Sequence, residues 1–134
     1  MRKIDNDAIR KHGDVRFRSS YDYALFEYYR SAKILKRLEW DDIDVHGRIL
    51  DAGCGSGGIA VSFAEESNWT VGLDIKNKFQ DAGSKLANEL GIRNASFVQG
   101  DGTDLPFAAA SFDLVLSHSV IEHVECAESY LLEC

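Results

Sequence analysis

Apolar residues recur at helical spacing over the first third of the chain. Leu25, Tyr28, Tyr29, Ala32, Leu35 and Leu38 share one face, with Ser19 or Ser20 placed to cap its start. Lys33, Lys36 and Arg37 gather toward its end, where they suit the helix dipole. The spacing predicts one amphipathic helix of about five turns from Ser20, packed on the rest of the fold. Upstream, residues 1–19 are polar and mixed in charge, with a short helix expected over Asp7–Lys11 and ended near Gly13. Phe17, Tyr21, Tyr23, Phe26, Tyr28 and Tyr29 read most simply as an aromatic core face; a lid over a ligand is the alternative. Asp41, Asp42 and Asp44 belong to a solvated connector, and Gly47 precedes the first strand.

From Arg48 the pattern changes to short apolar runs separated by helical faces. Ile49 and Leu50 end a buried strand, and an acid and four glycines (Asp51, Gly53, Gly55, Gly57 and Gly58) lead into a helix from about Gly57 to Glu66. Trp69–Ile75 is a second strand with Asp74 near its C-terminal end, 21 positions past Gly53, about one βαβ crossover. Phe79, Ala82, Leu86 and Leu90 mark a helix that Gly91 stops. Ser96–Gln99 is a third strand, closed by Gly100-Asp101-Gly102, and Pro106 breaks the stretch from Thr103 to Ala110 before it can form a crossover helix. Phe112–Ser117 is the fourth strand, and Val120–Cys134 is helical in two short pieces. Alternating strands and helices predict an α/β fold with a Rossmann-like, doubly wound parallel sheet. The division is an N-terminal helical extension over residues 1–47 and a sheet domain over residues 48–134. Asp51, Asp74, Asp101 and Ser117-His118 then reach one rim, at the C-terminal strand ends where such sheets bind ligands.

A strand that runs through a glycine turn into a helix N-terminus is a nucleotide-binding corner, because the backbone can approach the ligand and free N–H groups face it. Two readings of the glycines fit. Gly53, Gly55 and Gly58 satisfy the dinucleotide spacing G-x-G-x-x-G, which suits an NAD-dependent oxidoreductase; Asp51, Gly53, Gly55 and Gly57 satisfy D-x-G-x-G-x-G. An acid two residues before the first glycine is a poor neighbour for a pyrophosphate and a good one for a ligand carrying an ammonium and a sulfonium. The second pattern resembles the first motif of the class I S-adenosylmethionine-dependent methyltransferases. Within that resemblance, Asp74 looks like the acid that accepts both ribose hydroxyls. Gly100-Asp101-Gly102 with Leu105-Pro106-Phe107 looks like the adenine-edge segment, its Asp101 carboxylate near the exocyclic amine. Ser111-Phe112-Asp113-Leu114-Val115 and Ile121-Glu122-His123-Val124 are similar to the strand and post-strand motif of the small-molecule, type 11-like branch. The resemblance covers residues 48–134. It implies S-adenosylmethionine as cofactor, held by Asp51, Gly53, Cys54, Gly55, Gly57, Asp74, Ile75, Asp101, Gly102, Ser117 and His118. It also implies the strand order 3-2-1-4. The family continues into a Lys-Pro-Gly-Gly-like turn and three further strands that this sequence does not contain. The end at Leu131-Leu132-Glu133-Cys134 therefore reads as a cut, with the cofactor contacts kept and much of the acceptor pocket absent.

Methyl transfer asks little of side chains beyond positioning, and a base is needed only when the acceptor carries a proton. His118, Glu122 and His123 follow the fourth strand and are the candidates; a role limited to orienting backbone is the alternative for the Glu-His pair. His118, His123, Cys126 and Cys134 match no standard zinc spacing, so no metal is expected. Cys54 reads as a small packing residue rather than a nucleophile, and Asp113, at the strand end opposite the rim, as structural.

Charge narrows the acceptor. Residues 1–47 carry 10 Lys and Arg against 9 Asp and Glu, and residues 48–134 carry 5 against 13, for a total of −7. So acidic a sheet domain disfavours a phosphate backbone as the acceptor, and the resemblance to the small-molecule branch implies a small-molecule acceptor. At 134 residues the chain is one domain of ordinary size. It has no run of about 18 apolar residues to span a bilayer. Met1-Arg2-Lys3 has no hydrophobic region behind it, and three cysteines without a C-x-x-C pair suit reduced thiols in the cytoplasm. A non-catalytic cofactor-binding fragment or partner subunit is the remaining alternative. Leu114, Val115 and Leu116 on an uncovered fourth strand predict self-association through that edge.

Overall fold

Ile49 and Leu50 are both fully buried, yet they serve opposite faces of one sheet. Ile49 packs with Leu35, Ile59 and Phe63, whereas Leu50 packs with Val71, Leu73 and Tyr130. A strand covered on both sides is interior, and the computed structural model, which describes residues 3–13, 19–76 and 80–134, has it there. Phe17 and Phe79 lie outside the described residues. The strands are β1 (Arg48–Ala52), β2 (Trp69–Asp74), β3 (Ala95–Gln99) and β4 (Leu114–Leu116), all parallel in the order β3-β2-β1-β4. Leu50 pairs with Val71 on one side and Val115 on the other. The order reverses between β1 and β4, so the crevice of a doubly wound sheet opens there.

The helices are α1 (Asn6–Gly13), α2 (Ser20–Arg30), α3 (Ala32–Trp40), α4 (Gly58–Ala64), α5 (Gln80–Leu90) and α6 (Ala127–Glu133), with a short 3-10 turn over Ile121–His123. Ser19 caps α2, its Oγ accepting the Asp22 N–H at 3.1 Å. Gly91, at φ +71°, closes α5 in the left-handed conformation that glycine adopts without strain.

The single five-turn helix expected from Ser20 is instead two, α2 and α3, divided at Ser31. Ser31 is fully buried, and its hydroxyl donates to the Tyr28 carbonyl at 2.6 Å. Side-chain bonding to a preceding carbonyl bends a helix, and the apolar period runs through the bend unchanged, which is why spacing alone hides it. The fourth strand is also shorter than its apolar run. Phe112 leaves the ladder to pack edge-on against Phe107, and Ser117 bonds the Tyr130 hydroxyl at 2.8 Å. Asp113 accepts the Arg48 N–H at 2.8 Å and two guanidinium hydrogens at 3.1 Å, and these bonds hold its carboxyl down at about 2. The pair ties β1 to β4 at the end away from the rim.

Helix α2 is part of the core. Ala24 and Tyr28 are buried with Val61 of α4 and Ala82, Leu86 and Ala87 of α5, and the Tyr28 hydroxyl donates to Glu65 at 2.6 Å. The approach of α2 to α4 rests on Gly58. A Cβ there would stand 2.1 Å from the Ala24 carbonyl oxygen and 2.8 Å from Glu27 Cβ.

Candidate functional site

A cavity of about 730 Å³ opens at the C-terminal ends of the strands. Its floor begins where β1 gives way to the glycine turn. The Gly53 and Cys54 N–H groups both donate to the Leu73 carbonyl, at 2.7 and 2.9 Å, folding the turn back over β2. Asp74 completes the clasp: Oδ2 accepts the Gly55 N–H at 2.9 Å and Oδ1 the Lys76 N–H at 2.8 Å. Gly57 caps α4 at φ +84°, and a side chain there would strike the Phe97 ring.

Of the residues expected to hold a cofactor, Asp51, Gly53, Cys54, Gly55 and Asp74 line this cavity, as do Ile75, Asp101, Gly102 and His118. Gly57 and Ser117 are not among its lining residues. Gly57 sits behind the turn against Phe97 and Gly83, and Ser117 is held by Tyr130. Of the expected bases, His118 and His123 line the cavity and Glu122 does not; it stands on the 3-10 turn, 4.0 Å from His123 Nε2.

Electrostatics separates the acids. Asp51 is 1% exposed, and Oδ2 is buried without a hydrogen-bond partner. Burial, then the nearby charges of Glu27 and Asp74, push its carboxyl up to about 8, against the opposing pull of the Ala60 N–H. Asp101 is exposed, and Oδ1 takes the Thr103 N–H at 2.8 Å and the Thr103 hydroxyl at 2.7 Å, bonds that hold its carboxyl below the usual range. Burial, reinforced by Asp51, Asp74 and Glu27, pushes the Cys54 thiol up, so the sulfur is a protonated packing group. His118 is pulled below its ordinary value by burial and then by the Arg30 charge, which leaves a neutral imidazole at pH 7. Among the described residues, no group of three or more His, Cys, Asp or Glu is arranged to hold a metal ion.

Glu27 and Tyr130 line the cavity although the sequence reading did not single them out, and Tyr23 of the aromatic face lines it too. Glu27 is 7% exposed on α2, its Oε2 accepting the Ser56 hydroxyl at 3.0 Å and its Oε1 lying 4.0 Å from Arg30. The signal was available, since Ala24, Glu27, Tyr28 and Ser31 follow the i, i+3, i+4, i+7 spacing of one buried stripe. Tyr130 is 1% exposed, and its hydroxyl donates to the Ala52 carbonyl at 3.1 Å while accepting from Ser117, joining the ends of β1 and β4. Gly102 makes room for that ring, since a Cβ there would lie 2.5 Å from it.

A family model described as a methyltransferase domain matches residues 50–134. The chain is 33% identical over 106 residues to the uncharacterized methyltransferase YcgJ of Bacillus subtilis, covering 72% of this chain and 41% of that protein. The crystal structure of YcgJ superposes with a TM-score of 0.69 at 26% identity, over 78% of this chain and 44% of that one. Ajmaline N-methyltransferase of Rauvolfia serpentina is 34% identical over 87 residues, 63% of this chain and 30% of that protein. PKMT2 from Rickettsia typhi, solved in complex with AdoHcy, matches with a TM-score of 0.54 at 27% identity, over 64% of this chain and 17% of that one. The chain thus spans less than half the length of these relatives. Membership displaces the oxidoreductase reading of Gly53, Gly55 and Gly58, the last of which serves the approach of α2. From the parallel 3-2-1-4 sheet, the glycine turn clasped by Asp74 and the match across residues 50–134, the chain belongs to the class I S-adenosylmethionine-dependent methyltransferases.

Proposed function

We propose that this chain is a cofactor-binding methyltransferase domain that transfers a methyl group from S-adenosylmethionine to a small-molecule acceptor. The observation that carries the reading is that nine of the eleven residues named for the cofactor line one cavity at the point where the strand order reverses. The fit to that ligand rests on Asp51, whose buried, unpartnered Oδ2 suits a cation. S-Adenosylmethionine supplies an electrophilic methyl group and departs as a neutral thioether. The chain's own residues then have three tasks. Asp74 holds the glycine turn and offers its carboxylate to the ribose, Gly53 and Gly55 let the backbone come close, and Asp101 with Gly102 borders the adenine. His118, neutral at pH 7, is the group that takes a proton from an acceptor that carries one; His123 is the second candidate. Glu122, outside the lining and 4.0 Å from His123 Nε2, acts through His123.

Calorimetry with S-adenosylhomocysteine tests the reading. Asp74→Ala is expected to weaken binding by about 1.5–3 kcal/mol, the worth of charge-assisted hydrogen bonds to the ribose and to the turn. Unchanged affinity removes Asp74 from the site. The small-molecule acceptor is supported by the −8 balance of residues 48–134 and by the relative named for ajmaline. Methyl transfer to a panel of small acceptors separates this reading from a domain that binds without turnover. No helix among the described residues is long and apolar enough to cross a membrane, and the free thiols of Cys54, Cys126 and Cys134 support a cytoplasmic site of action.

The open side of β4 carries a further expectation. Among the described residues β4 bonds only to β1, its three side chains are half-buried, and α6 exposes Leu131 and Leu132. An uncovered apolar edge is an association site, so sedimentation at micromolar concentration is expected to show a dimer or larger species. A clean monomer that binds cofactor overturns the expectation.

A further inference from the structure

Asp101 and Gly102 border the cavity from an irregular loop between β3 and β4, and such backbone needs outside contacts to hold one position. Inside the loop the bonds are short-range. Asp101 Oδ1 takes the Thr103 N–H at 2.8 Å and the Thr103 hydroxyl at 2.7 Å, and the Asp101 carbonyl accepts the Asp104 N–H at 3.1 Å. These bonds fix the shape of the turn and leave its place on the sheet undetermined. At the start of the loop, the Gly100 N–H donates to the Asp74 carbonyl at 3.0 Å, which anchors it to β2. At its far end Pro106 has no N–H, so Leu105 carries the last donor before the proline, and that N–H goes to Oε2 of Glu133 on α6 at 2.8 Å. We infer that Glu133 is a positioning residue for base recognition: by accepting the Leu105 N–H, it holds the loop where Asp101 meets the exocyclic amine of the adenine. The inference rests on the cofactor reading and adds to it a residue from outside the cavity.

Helix α6 makes this contact from a fixed frame. Tyr130 and Glu133 are three positions apart and therefore neighbours on the helix surface. The Tyr130 ring packs against Gly102, where a Cβ would lie 2.5 Å from it, and its hydroxyl bonds the Ala52 carbonyl at 3.1 Å and Ser117 at 2.8 Å. Leu105 and Phe107 pack against the same cluster of Leu50, Leu73 and Tyr130. Tyr130 thus sets α6 on the ends of β1 and β4, and Glu133 carries that placement to the loop. A carboxylate accepts a backbone N–H more strongly than a neutral oxygen does, so the bond suits a segment with no ladder of its own. Because Asp101 Oδ1 is engaged by Thr103, Oδ2 is the oxygen left to accept from a base. Glu133 does not line the cavity, so its effect on a ligand passes through the loop.

Two ligands read the base contact by calorimetry: S-adenosylhomocysteine and its 6-deamino analogue, which carries hydrogen in place of the exocyclic amine. The unaltered chain is expected to prefer S-adenosylhomocysteine by roughly 10-fold, as one hydrogen bond to a carboxylate supplies. Glu133→Ala is expected to cut that preference to roughly 3-fold or less, whereas Glu133→Gln, which keeps an acceptor oxygen, retains it within about 2-fold. In an Asp101→Ala background, Glu133→Ala is expected to change the preference no further, because the first change removes the group through which the second acts. Equal weakening of both ligands by Glu133→Ala overturns the inference, as does a loss in Glu133→Gln as large as that in Glu133→Ala. Equal affinity of the unaltered chain for the two ligands overturns the inference and the Asp101 contact while leaving the cofactor reading intact. Failure of both ligands to bind overturns the cofactor reading itself. One further measurement needs neither variant nor ligand. The Leu105 amide hydrogen of the unaltered chain is expected to exchange at least about 10-fold more slowly than an unstructured amide, and exchange at the unstructured rate overturns the bond to Glu133 and the inference with it.

Discussion

Gly58→Ala is expected to cost about 2–3 kcal/mol in urea unfolding, with the midpoint falling and the slope unchanged. Position 58 opens α4, and alanine in place of glycine there improves helix propensity by up to about 1 kcal/mol. Packing opposes that gain. The new methyl would stand 2.1 Å from the Ala24 carbonyl oxygen, a backbone atom that no rotamer change can move, and 2.8 Å from Glu27 Cβ. Relief requires α2 to slide away from α4, and α2 contributes the buried Ala24 and Tyr28 to the core shared with Val61, Ala82 and Leu86. Overpacking of this kind costs about 1–3 kcal/mol and occasionally more, so it outweighs propensity. Because α2 also carries Tyr23 and Glu27 to the cavity, the variant loses ligand affinity alongside stability. A stability change below about 0.5 kcal/mol would show that α2 does not press on α4.

Asp51→Asn is expected to do the reverse: the empty protein becomes more stable at pH 8, by about 2–4 kcal/mol, while ligand binding weakens. Folded Asp51 keeps its proton up to about pH 8, and an unfolded aspartate releases its proton near pH 4 (about 3.9). Between those values the folded chain holds the extra proton, so stability falls as pH rises through that window. Asparagine occupies the same volume and has no proton to lose, which makes the variant's profile flatter. Glu27, also raised, leaves a residual slope in the same direction. Asp113, held at about 2 by Arg48, titrates below the window and works oppositely: the stability it contributes is lost as pH falls through its folded value. Unfolding free energies at pH 5 and pH 8 decide the matter, and parallel profiles for the two proteins would remove Asp51 as the source.

The cavity shows which of the residues proposed from the sequence the fold brings together, and why. Asp51, Gly53, Gly55 and Asp74 are bound to strand ends and to a turn whose backbone must pass through left-handed φ, at +79° for Gly53 and +52° for Gly55. Such requirements are local and leave their mark in residue type and spacing. Glu122, His123 and Ser117 follow β4 in irregular backbone, where one residue of rotation changes which side chain faces inward. His118 and His123 turn to the cavity, Ser117 turns to Tyr130, and Glu122 lies outside the lining. Spacing carries no rule for that choice.

The sequence by itself determined the alternation of strands and helices, the glycine corner, the C-cap at Gly91 and the acids near the ends of β1 and β2, because each follows from hydrophobic period or from backbone conformation within a few residues. Tertiary structure alone decided the break at Ser31, the contact of α2 with α4 across Gly58, the Tyr130 bridge between β1 and β4, and the placing of Glu27 and Asp51 in the wall of one cavity. Those depend on burial and on charges brought together from distant parts of the chain. The ionisation of Asp51 is a sum over Glu27, Asp74 and the loss of water, and no window along the sequence contains all three.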